Sequence, residues 1–338
     1  MKYLACGAAC LFAFSCLAMA DEPGDQPVTL SLLESTRIWD QAPHNAFTDL
    51  VQWRDQYVCA FREGRKHVST DGAIRVLTSP DGKEWQPAAR LELPGYDLRD
   101  ASLSVMPDGR LMVLGGAAPR KADHKGAPTG TFTATATDID QWTTPEIIVE
   151  PGRWLWRVTW QGDVAWGVAY AKQEGRPYTS LLKLRGSNDV ATHVADMFGE
   201  GYPTEATIRF APDGTMLCLQ RRDGEPGKRS AHLGVSSAPY TDWKWHDLGE
   251  YLGGPNFIRT AEGNWLAAGR MFIDDEPRTV VSHLDVENAK FTKLSILPSG
   301  GDCSYPGLVL DGDRLLVSYY SSHEGKTAIY MAELRLEE

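Results

Sequence analysis

Three arginines occupy equivalent places in the sequence, each five residues after the first residue of a short apolar run: Arg62, Arg221 and Arg270. One such arginine is most simply explained as a solvated rim residue or the partner of a nearby carboxylate. Three at one level of a fold instead favour an anion site, because a guanidinium group binds a carboxylate through two parallel hydrogen bonds. The pattern therefore predicts binding of an anionic group.

Polar side chains also precede these runs, by about ten residues. They are Asp100, Glu205, Asn256 and Tyr305, and a further carboxyl, Asp71, follows the first run. A buried glutamate is rare unless it is paired, and a phenol or an arginine can be its partner. Tyr305 fits a chemical role and a packed aromatic with a satisfied hydroxyl equally well. We expect Glu205 and Tyr305 to meet at one site.

An internal repeat positions these residues. Six times a turn dipeptide precedes a short apolar strand, and the strands begin at residues 57, 111, 165, 216, 265 and 315. The intervals are 54, 54, 51, 49 and 50 residues. Each unit has one strand before its turn dipeptide, the apolar strand directly after it, and a third, alternating strand after that. A fourth strand is expected near Trp85, Trp142 or Trp245. Four short antiparallel strands repeated six times predict a six-bladed β-propeller, an all-β fold.

The two ends of the chain are expected to close this ring. Only 23 residues follow Leu315, too few for a fourth strand, whereas Val28 to Leu33 forms an alternating strand without a hairpin partner. We therefore expect Val28 to Leu33 to pair with Thr327 to Leu334, which would remove two open sheet edges. Residues 21–338 would then form a single domain.

Composition excludes one class of partner. The chain of 338 residues is 42% apolar and carries a formal charge of −11. Because no basic arm or cationic stripe offsets this charge, nucleic acid is not expected as a partner. The apolar stretch near the N-terminus is too short to span a bilayer, so we expect no membrane span.

The first twenty residues resemble a signal peptide, with Lys2 before an apolar stretch and Ala18-Met19-Ala20 as the cleavage site. Export to the periplasm or the medium is expected. Lipidation at Cys16 is less favoured, because Ala13 stands where that signal usually has leucine. Three cysteines remain, Cys59, Cys218 and Cys303, and their spacing fits no zinc site. They are expected to be buried strand residues.

Four segments resemble the sialidases and the wider group of sialidase-like propellers. The stretch 79–85, Ser-Pro-Asp-Gly-Lys-Glu-Trp, is similar to their Asp-box but one residue shorter. The stretch 59–65 is similar to the segment that ends blade one, and 204–221 to the one with the catalytic glutamate and second arginine. Ser304-Tyr305-Pro306-Gly307-Leu308 resembles the segment with the tyrosine nucleophile. The likeness spans residues 21–338.

The resemblance implies a role for each matching residue. Tyr305 would be the nucleophile, Glu205 the base that polarises it and Asp71 the acid/base. Arg221 and Arg270 would be two arginines of the carboxylate clamp. Such chemistry releases a terminal acidic sugar with retention of configuration, and tyrosine nucleophiles are known exceptions to the two-carboxylate scheme. It requires no metal or cofactor.

The first clamp arginine is missing. Sialidases place it in Phe/Tyr-Arg-Ile-Pro, where this chain has Asn45-Ala46-Phe47-Thr48-Asp49. Arg62 is the first candidate to supply the charge and Arg37 the second. His44 and Asp49 are candidates for contacts with a different sugar.

Other residues have two readings. His67 can orient a substrate or face solvent, and the same holds for His323 and Asp302. Asp100 and Asn256 are included among the substrate-binding candidates. Trp154, Trp156 and Trp160 alternate on one strand and are expected in the core rather than as a sugar platform.

The prediction is an exported, monomeric glycoside hydrolase acting on a glycan or glycoconjugate. Two alternatives stay open. One is a related propeller that acts on a different glycan, as another hydrolase or a lyase. The other is a non-catalytic glycan-binding propeller.

Overall fold

A computed structural model of the chain describes residues 28–119, 129–225 and 228–337. These residues form strands in six antiparallel sheets arranged as a β-propeller, and they include no helix able to cross a membrane. The predicted cleavage site and Cys16 lie outside the described residues.

Each sheet is one blade. Strand β1 (Thr29–Trp39) belongs to the last blade. Blade one comprises β2 (His44–Trp53), β3 (Gln56–Gly64), β4 (Ala73–Ser79) and β5 (Gln86–Leu91). Blade two comprises β6 (Tyr96–Val105), β7 (Leu111–Pro119), β8 (Gly130–Asp138), β9 (Gln141–Trp142) and β10 (Glu146–Val149). Blade three comprises β11 (Arg153–Gln161), β12 (Val164–Gln173), β13 (Arg176–Arg185) and β14 (Asp189–Phe198).

The second half of the ring repeats this plan. Blade four comprises β15 (Pro203–Phe210), β16 (Met216–Arg222), β17 (His232–Ser236) and β18 (Lys244–Asp247). Blade five comprises β19 (Gly253–Arg259), β20 (Trp265–Ile273), β21 (Glu276–Asp285) and β22 (Lys290–Ile296). Blade six comprises β23 (Cys303–Asp311), β24 (Arg314–Ser321) and β25 (Ala328–Glu337), with β1 as its outermost strand.

The ring closes as predicted. Strand β1 lies antiparallel to β25, with Leu30 opposite Leu336 and Trp39 opposite Ile329. The chain then enters blade one, where the backbone N–H of Asn45 donates to the carbonyl of Thr327 over 3.2 Å. The last blade therefore contains both ends of the described chain, and the prediction of six blades closed by the N-terminal strand is confirmed.

The outermost strands lie near Trp85, Trp142 and Trp245, as expected. Trp85 lies one residue before β5, while Trp245 lies within β18. In blade two the short β9 ends at Trp142, and β10 forms a further strand on β8. The indole of Trp85 donates to Gly82, and that of Trp142 to Ile139. Each indole thus spans the turn next to an outermost strand with a hydrogen bond to a carbonyl three residues earlier.

Apolar side chains fill the spaces between blades. Val58 and Ile74 of blade one pack with Leu103, Val113 and Phe132 of blade two, and the other neighbouring blades meet in similar clusters. This burial is the main favourable contribution to folding.

The tryptophans and cysteines singled out in the sequence belong to this packing. Trp154 and Trp156 are buried, and the indole of Trp160 donates to Ser104 in the neighbouring blade. All three cysteines of the described residues, Cys59, Cys218 and Cys303, are buried and unbridged, as expected.

The innermost strands β2, β6, β11, β15, β19 and β23 each have one edge without a strand partner in their own sheet. Side chains connect that edge to the next blade all round the axis, and we call this set of contacts the polar belt. Its links are Asp49 to the N–H of Leu103, Trp160 to Ser104, Thr159 to the carbonyl of Ile208, Thr207 to that of Pro255, Asn256 to that of Pro306, and Thr48 to that of Tyr305.

Asp49 carries the most charged link of the belt. Its Oδ2 accepts from the N–H of Leu103 and from Nη1 of Arg157, each over 2.7 Å. The carboxylate and the guanidinium are both buried. Asp49 therefore joins three blades at the axis.

Asp49→Ala is expected to lower the free energy of unfolding by about 3–5 kcal/mol, because it leaves a buried guanidinium without its partner. Urea unfolding measures the change. Asp196→Ala is the matched control, since Asp196 pairs with Arg176 at the exposed surface and such pairs contribute less than about 1 kcal/mol. Equal stability of the two variants would show that the belt does not hold the ring together.

Candidate active site

An irregularity in each innermost strand positions the site. The pairing of each of these strands with its neighbour shifts by one residue at an equivalent point, where two residues of the inner strand lie opposite one residue of its partner. The residues in these bulges are Phe47-Thr48, Asp100-Ala101, Trp156-Arg157, Thr204-Glu205, Gly254-Pro255 and Tyr305-Pro306. Bulges bend a strand and redirect its side chains. We call the end of the axis that these bulges surround the mouth.

Tyr305 and Glu205 meet there, as expected from the sequence. The phenol of Tyr305 donates a hydrogen bond to Oε1 of Glu205. Nη1 of Arg221 lies 2.7 Å from Oε2 of Glu205 and donates to the Tyr305 hydroxyl over 3.0 Å. The three groups form one hydrogen-bonded unit that joins blades four and six.

Burial and charge set the protonation of this unit. Burial raises the pKa of Tyr305 well above its ordinary value, and the neighbouring Glu205 carboxylate adds to that effect. Burial acts to lower the pKa of Arg221, but Glu205, Tyr305 and the other acidic groups around it together outweigh burial and hold the pKa well above the ordinary value. Tyr305 is therefore a neutral phenol at rest, beside a permanent cation and a proton acceptor.

The backbone around Tyr305 is strained. Ser304 and Tyr305 both have positive φ, at 98° and 54°, which costs a non-glycine residue roughly 1–3 kcal/mol. Gly254 faces them, with φ of 61°, and its N–H donates to Oε2 of Glu205 over 2.9 Å. A Cβ atom on Gly254 would lie 2.8 Å from the Tyr305 ring. Glycine is thus required for the close approach of blade five to the Tyr305–Glu205 pair.

Arg270 lies beside this pair. Its guanidinium donates to the carbonyl of Cys303 over 2.9 Å and to the Tyr320 hydroxyl over 3.0 Å. The group lies 5.8 Å from the centre of the Tyr305 ring. Arg221 and Arg270 therefore flank the tyrosine, one on the Glu205 side and one on the Tyr320 side.

Arg62 is placed differently from the other two arginines. Its side chain is fully buried, and its Nε lies 3.0 Å from Oδ1 of Asp97. The other nitrogens donate to the carbonyl of Lys66 and to Oγ of Ser69, each over 2.9 Å. Arg62 thus holds the loop between β3 and β4 from inside and does not present its charge at the mouth.

That loop carries Asp71 and His67. Oδ2 of Asp71 lies 3.0 Å from Nε of Arg65; the Arg65 side chain is largely exposed, and that of Asp71 is 37% exposed. Burial acts to raise the pKa of Asp71, but hydrogen bonds from Ser69 and the Arg65 N–H and the charge of Arg65 lower it overall. No hydrogen bond joins Asp71 to Tyr305 or Glu205 among the described residues. Any role of Asp71 in proton transfer remains a prediction.

His44 and His67 converge on Asp302. Nε2 of His44 lies 3.0 Å and Nδ1 of His67 lies 2.7 Å from the same oxygen, Oδ2 of Asp302. The other oxygen accepts a hydrogen bond from the Tyr320 hydroxyl over 2.9 Å. Although burial acts to raise the pKa of Asp302, these contacts lower it strongly. His44 is buried and His67 is half-exposed.

Two further candidates from the sequence belong to the scaffold. Asp49 and Asn256 are 1% and 2% exposed, and their hydrogen bonds go to the polar belt. Asn256 accepts from Nη2 of Arg209 over 2.8 Å and donates to the carbonyl of Pro306 over 3.0 Å. Neither side chain reaches the mouth in this arrangement.

Asp100 occupies a bulge and borders the same cavity as Tyr305 and Trp156. Its φ is 51°, and its Oδ1 is buried without a hydrogen-bond partner. Burial raises its pKa to about 6, although Arg99 beside it acts in the opposite direction. The mouth thus contains a carboxyl that loses its proton near neutral pH.

Sequence reasoning did not assign Phe47 or Tyr320 to the site. The Phe47 ring lies 5.1 Å from those of Tyr305 and His67 and 5.3 Å from that of Tyr320. Tyr320 was detectable, because it stands at the same offset in its unit as the three arginines. Phe47 gave no such signal, since a phenylalanine in an apolar strand is expected in the core.

Comparison with known proteins extends only to the fold. No family model and no curated protein matches the chain. Among solved structures, a protein of unknown function from Dyadobacter fermentans superposes with a TM-score of 0.79 at 19% identity, over 91% of this chain and 100% of its own. The α-L-arabinofuranosidase of Fusarium graminearum gives 0.70 at 13% identity, over 90% and 98%. The Trypanosoma rangeli sialidase gives 0.66 at 12% identity, over 86% of this chain and 55% of its own.

The shared feature is the fold. The chain is a six-bladed propeller like those of sialidases and arabinofuranosidases. Likeness at these identities shows the fold alone, so the function is argued from the geometry of the mouth.

Asp100→Asn is expected to make stability less dependent on pH. An aspartate in an unfolded chain has a pKa of about 3.9, so a folded value of about 6 means that ionisation opposes folding. The stability contributed by the neutral carboxyl is complete below about pH 4 and is lost as the pH rises through about 6. The difference corresponds to about 3 kcal/mol. Urea unfolding at pH 4 and pH 8 should show wild type losing that much relative to the variant.

Asp71→Asn provides a control of opposite sign. The pKa of Asp71 is lowered, so its ionised form favours folding. This variant should be less stable than wild type at pH 7, and the difference should vanish as the pH falls below about 4. If the two variants showed the same pH trend, the assigned environment of Asp100 would be incorrect.

Proposed function

We propose that this protein is an exo-acting retaining glycoside hydrolase of the sialidase type that releases a terminal acidic sugar. One observation carries the proposal: Tyr305 donates a hydrogen bond to Glu205 while Arg221 bonds to both. A phenol is a poor nucleophile at neutral pH unless a base accepts its proton. Glu205 is in contact with that proton.

The proposed reaction proceeds in two steps. The Tyr305 oxygen attacks the anomeric carbon and its proton passes to Glu205, while Asp71, in the minor protonated form that its lowered pKa allows, protonates the oxygen of the leaving group. Water then attacks the glycosyl-tyrosine, giving its proton to Asp71, and the phenolate recovers its proton from Glu205. A neutral nucleophile suits a sugar whose anomeric carbon bears a carboxylate, because an anionic nucleophile would be repelled.

The acidic sugar is supported by the two arginines at the mouth. Arg221 and Arg270 lie on either side of Tyr305, and both pKa values are held above the ordinary one, against the effect of burial. They are therefore permanent cations close to the position of the reacting carbon. A carboxylate bound there would accept charge-assisted hydrogen bonds.

A cleft next to the site offers room for the remainder of the glycan. Tyr170 and Tyr202 line it, together with Thr204, the neighbour of Glu205, and the mostly buried Trp154 forms part of its wall. Aromatic faces of this kind suit the apolar faces of sugar rings. We assign this cleft to the leaving group.

We also propose that the protein is exported to the periplasm or the medium, because its first twenty residues resemble a signal peptide.

One observation favours a different sugar. Arg62 is directed into the loop rather than the mouth, so of the three arginines at the shared offset only Arg221 and Arg270 flank Tyr305. A sialidase-like propeller that hydrolyses another glycan is therefore the second candidate. A panel of fluorogenic glycosides that includes sialosides, uronides and arabinofuranosides distinguishes the two candidates. If the protein hydrolyses no member of the panel, the remaining function is glycan binding without catalysis.

Tyr305→Phe and Glu205→Gln are each expected to abolish most turnover of the best substrate in that panel. The first removes the attacking oxygen and the second removes the base. Tyr319→Phe is the matched control, because the Tyr319 hydroxyl is also buried but bonds to Ser35 and Pro298, away from the mouth. Near-normal kcat in either site variant, with the control active, would exclude this nucleophile pair.

The effect of Asp71→Asn on the rate should depend on the leaving group of the substrate. General acid catalysis contributes about 10²–10⁴ in rate, and a good leaving group needs little of it. We expect Asp71→Asn to slow the first chemical step by that factor for an alkyl glycoside and far less for a nitrophenyl glycoside. The same comparison with Asp100→Asn shows which carboxyl donates the proton, and an equal loss on both substrates would exclude Asp71.

Arg221→Lys and Arg270→Lys test the anionic substrate. An ammonium group cannot reproduce the paired hydrogen bonds of a guanidinium, and loss of a buried charged contact costs about 2–5 kcal/mol. Binding of a sialoside should weaken by about 30-fold or more, and binding of its carboxamide much less. Arg62→Lys is the control, since it should loosen the loop and affect acid and amide alike. Equal losses for acid and amide in all three variants would exclude the acidic sugar.

A further inference from the structure

Three potential metal ligands converge beside the proposed catalytic pair. His44 begins β2, His67 lies in the loop after β3, and Asp302 immediately precedes β23. Their nearest ligand atoms all lie within 4.8 Å of one another. Three separate segments of the chain thus place two imidazoles and a carboxylate at one point.

We propose that His44, His67 and Asp302 bind a divalent transition-metal ion, with zinc the best match. Two imidazole nitrogens and one carboxylate oxygen form a ligand set of the kind found in catalytic zinc sites, where a fourth position is left for water or substrate. Calcium and magnesium prefer oxygen ligands.

The spacing of the ligand atoms suits such an ion. Ligands at about 2.0–2.2 Å from zinc in a tetrahedral arrangement lie roughly 3.4 Å apart. The two distances to Oδ2 of Asp302 are 3.0 Å and 2.7 Å, so these atoms need to separate by about 0.4 Å and 0.7 Å to reach that spacing, and all the ligand atoms already lie within 4.8 Å of one another. His67 is half-exposed on a loop and can make this adjustment.

Groups around Asp302 hold it in place for this role. Its Oδ1 accepts from the Tyr320 hydroxyl over 2.9 Å, and its N–H donates to Oγ of Ser322 over 2.9 Å. Partners of this kind orient metal-binding carboxylates. Oδ2 is left for the two histidines and the ion.

The ion would add a positive charge to the mouth. Phe47 contacts both His67 and Tyr305, so one ring separates the metal site from the proposed nucleophile. On the other side of Asp302, Nη2 of Arg270 lies 3.7 Å from Oδ1. His44 immediately precedes the segment that lacks the first clamp arginine. The ion would then bind an oxygen of the sugar in place of that arginine, a consequence that rests on the proposed function, whereas metal binding does not.

Direct binding tests the proposal. The mature protein is treated with EDTA, dialysed and titrated with zinc chloride by isothermal titration calorimetry, and we expect one site per chain. His67→Ala and Asp302→Asn should each weaken binding by at least about 100-fold, since even outer partners of a metal ligand change affinity by 10–100-fold. His323→Ala is the matched control, because His323 bonds to Ser321 and contacts Tyr330, outside the cluster.

A second measurement covers variants that fold poorly. Cobalt added to the wild-type protein should give the visible absorption of a four-coordinate ion, and equimolar zinc should remove it. Zinc binding that persists unchanged in His67→Ala, or no binding by wild type, overturns the proposal. Zinc binding without turnover of any glycoside supports the metal site and counts against the proposed function, while turnover without zinc binding does the reverse.

Discussion

The unpaired inner edges of the six blades are the constraint on which the rest of this structure depends. An open strand edge exposes backbone groups that need partners, and at five of the six junctions around the axis a side chain of the neighbouring blade is such a partner. Asp49 supplies one link by accepting from Leu103, and Asn256 supplies another by donating to Pro306. The ring is therefore closed twice, by backbone pairing of β1 with β25 at its outer wall and by the polar belt at its axis.

The belt also explains why the site lies where it does. Every innermost strand bulges next to its link, so its hydrogen-bonding direction changes there and its side chains can turn towards the mouth. Thr48 connects the polar belt to the mouth directly, because its hydroxyl donates to the backbone carbonyl of Tyr305 over 2.7 Å. The strained backbone of Tyr305 is thus anchored by the same contacts that hold the ring together, which is how a costly conformation persists at a functional site.

The repeat made much of this predictable. Its interval of about fifty residues predicts the blades, and the shortage of residues after Leu315 predicts the closing strand. The offsets also bring Glu205, Tyr305 and Arg221 to one level, where the structure places them. The position of a residue in its repeat predicts how far along the strand it lies but not which way its side chain points. Neighbouring residues of a strand point to opposite faces, and a bulge shifts that alternation. Asn256 lies just beyond the bulge at Gly254 and Pro255, so it joins the belt.

Arg62 shows a second limit of sequence reasoning. It stands at the same offset as Arg221 and Arg270, yet Asp97 and the loop after β3 take up its hydrogen bonds. The packing of neighbouring blades decides which carboxylate an arginine pairs with. The spacing of residues in a single sequence does not predict that pairing. His44, His67 and Asp302 illustrate the same point, because they are distant in sequence and meet only through the closure of the ring.

The charge distribution limits how an anionic ligand can be recognised. The chain carries a formal charge of −11, so at long range an anion is repelled rather than steered towards the mouth. Salt screens that repulsion beyond about 8–10 Å at physiological ionic strength, whereas partly buried pairs are screened much less. Arg221 and Arg270 are both largely buried, so they act only on a ligand that has already entered the mouth. Affinity for an acidic sugar must therefore arise from short-range contacts formed after water has left the site, and added salt should favour association more than it weakens the bound state.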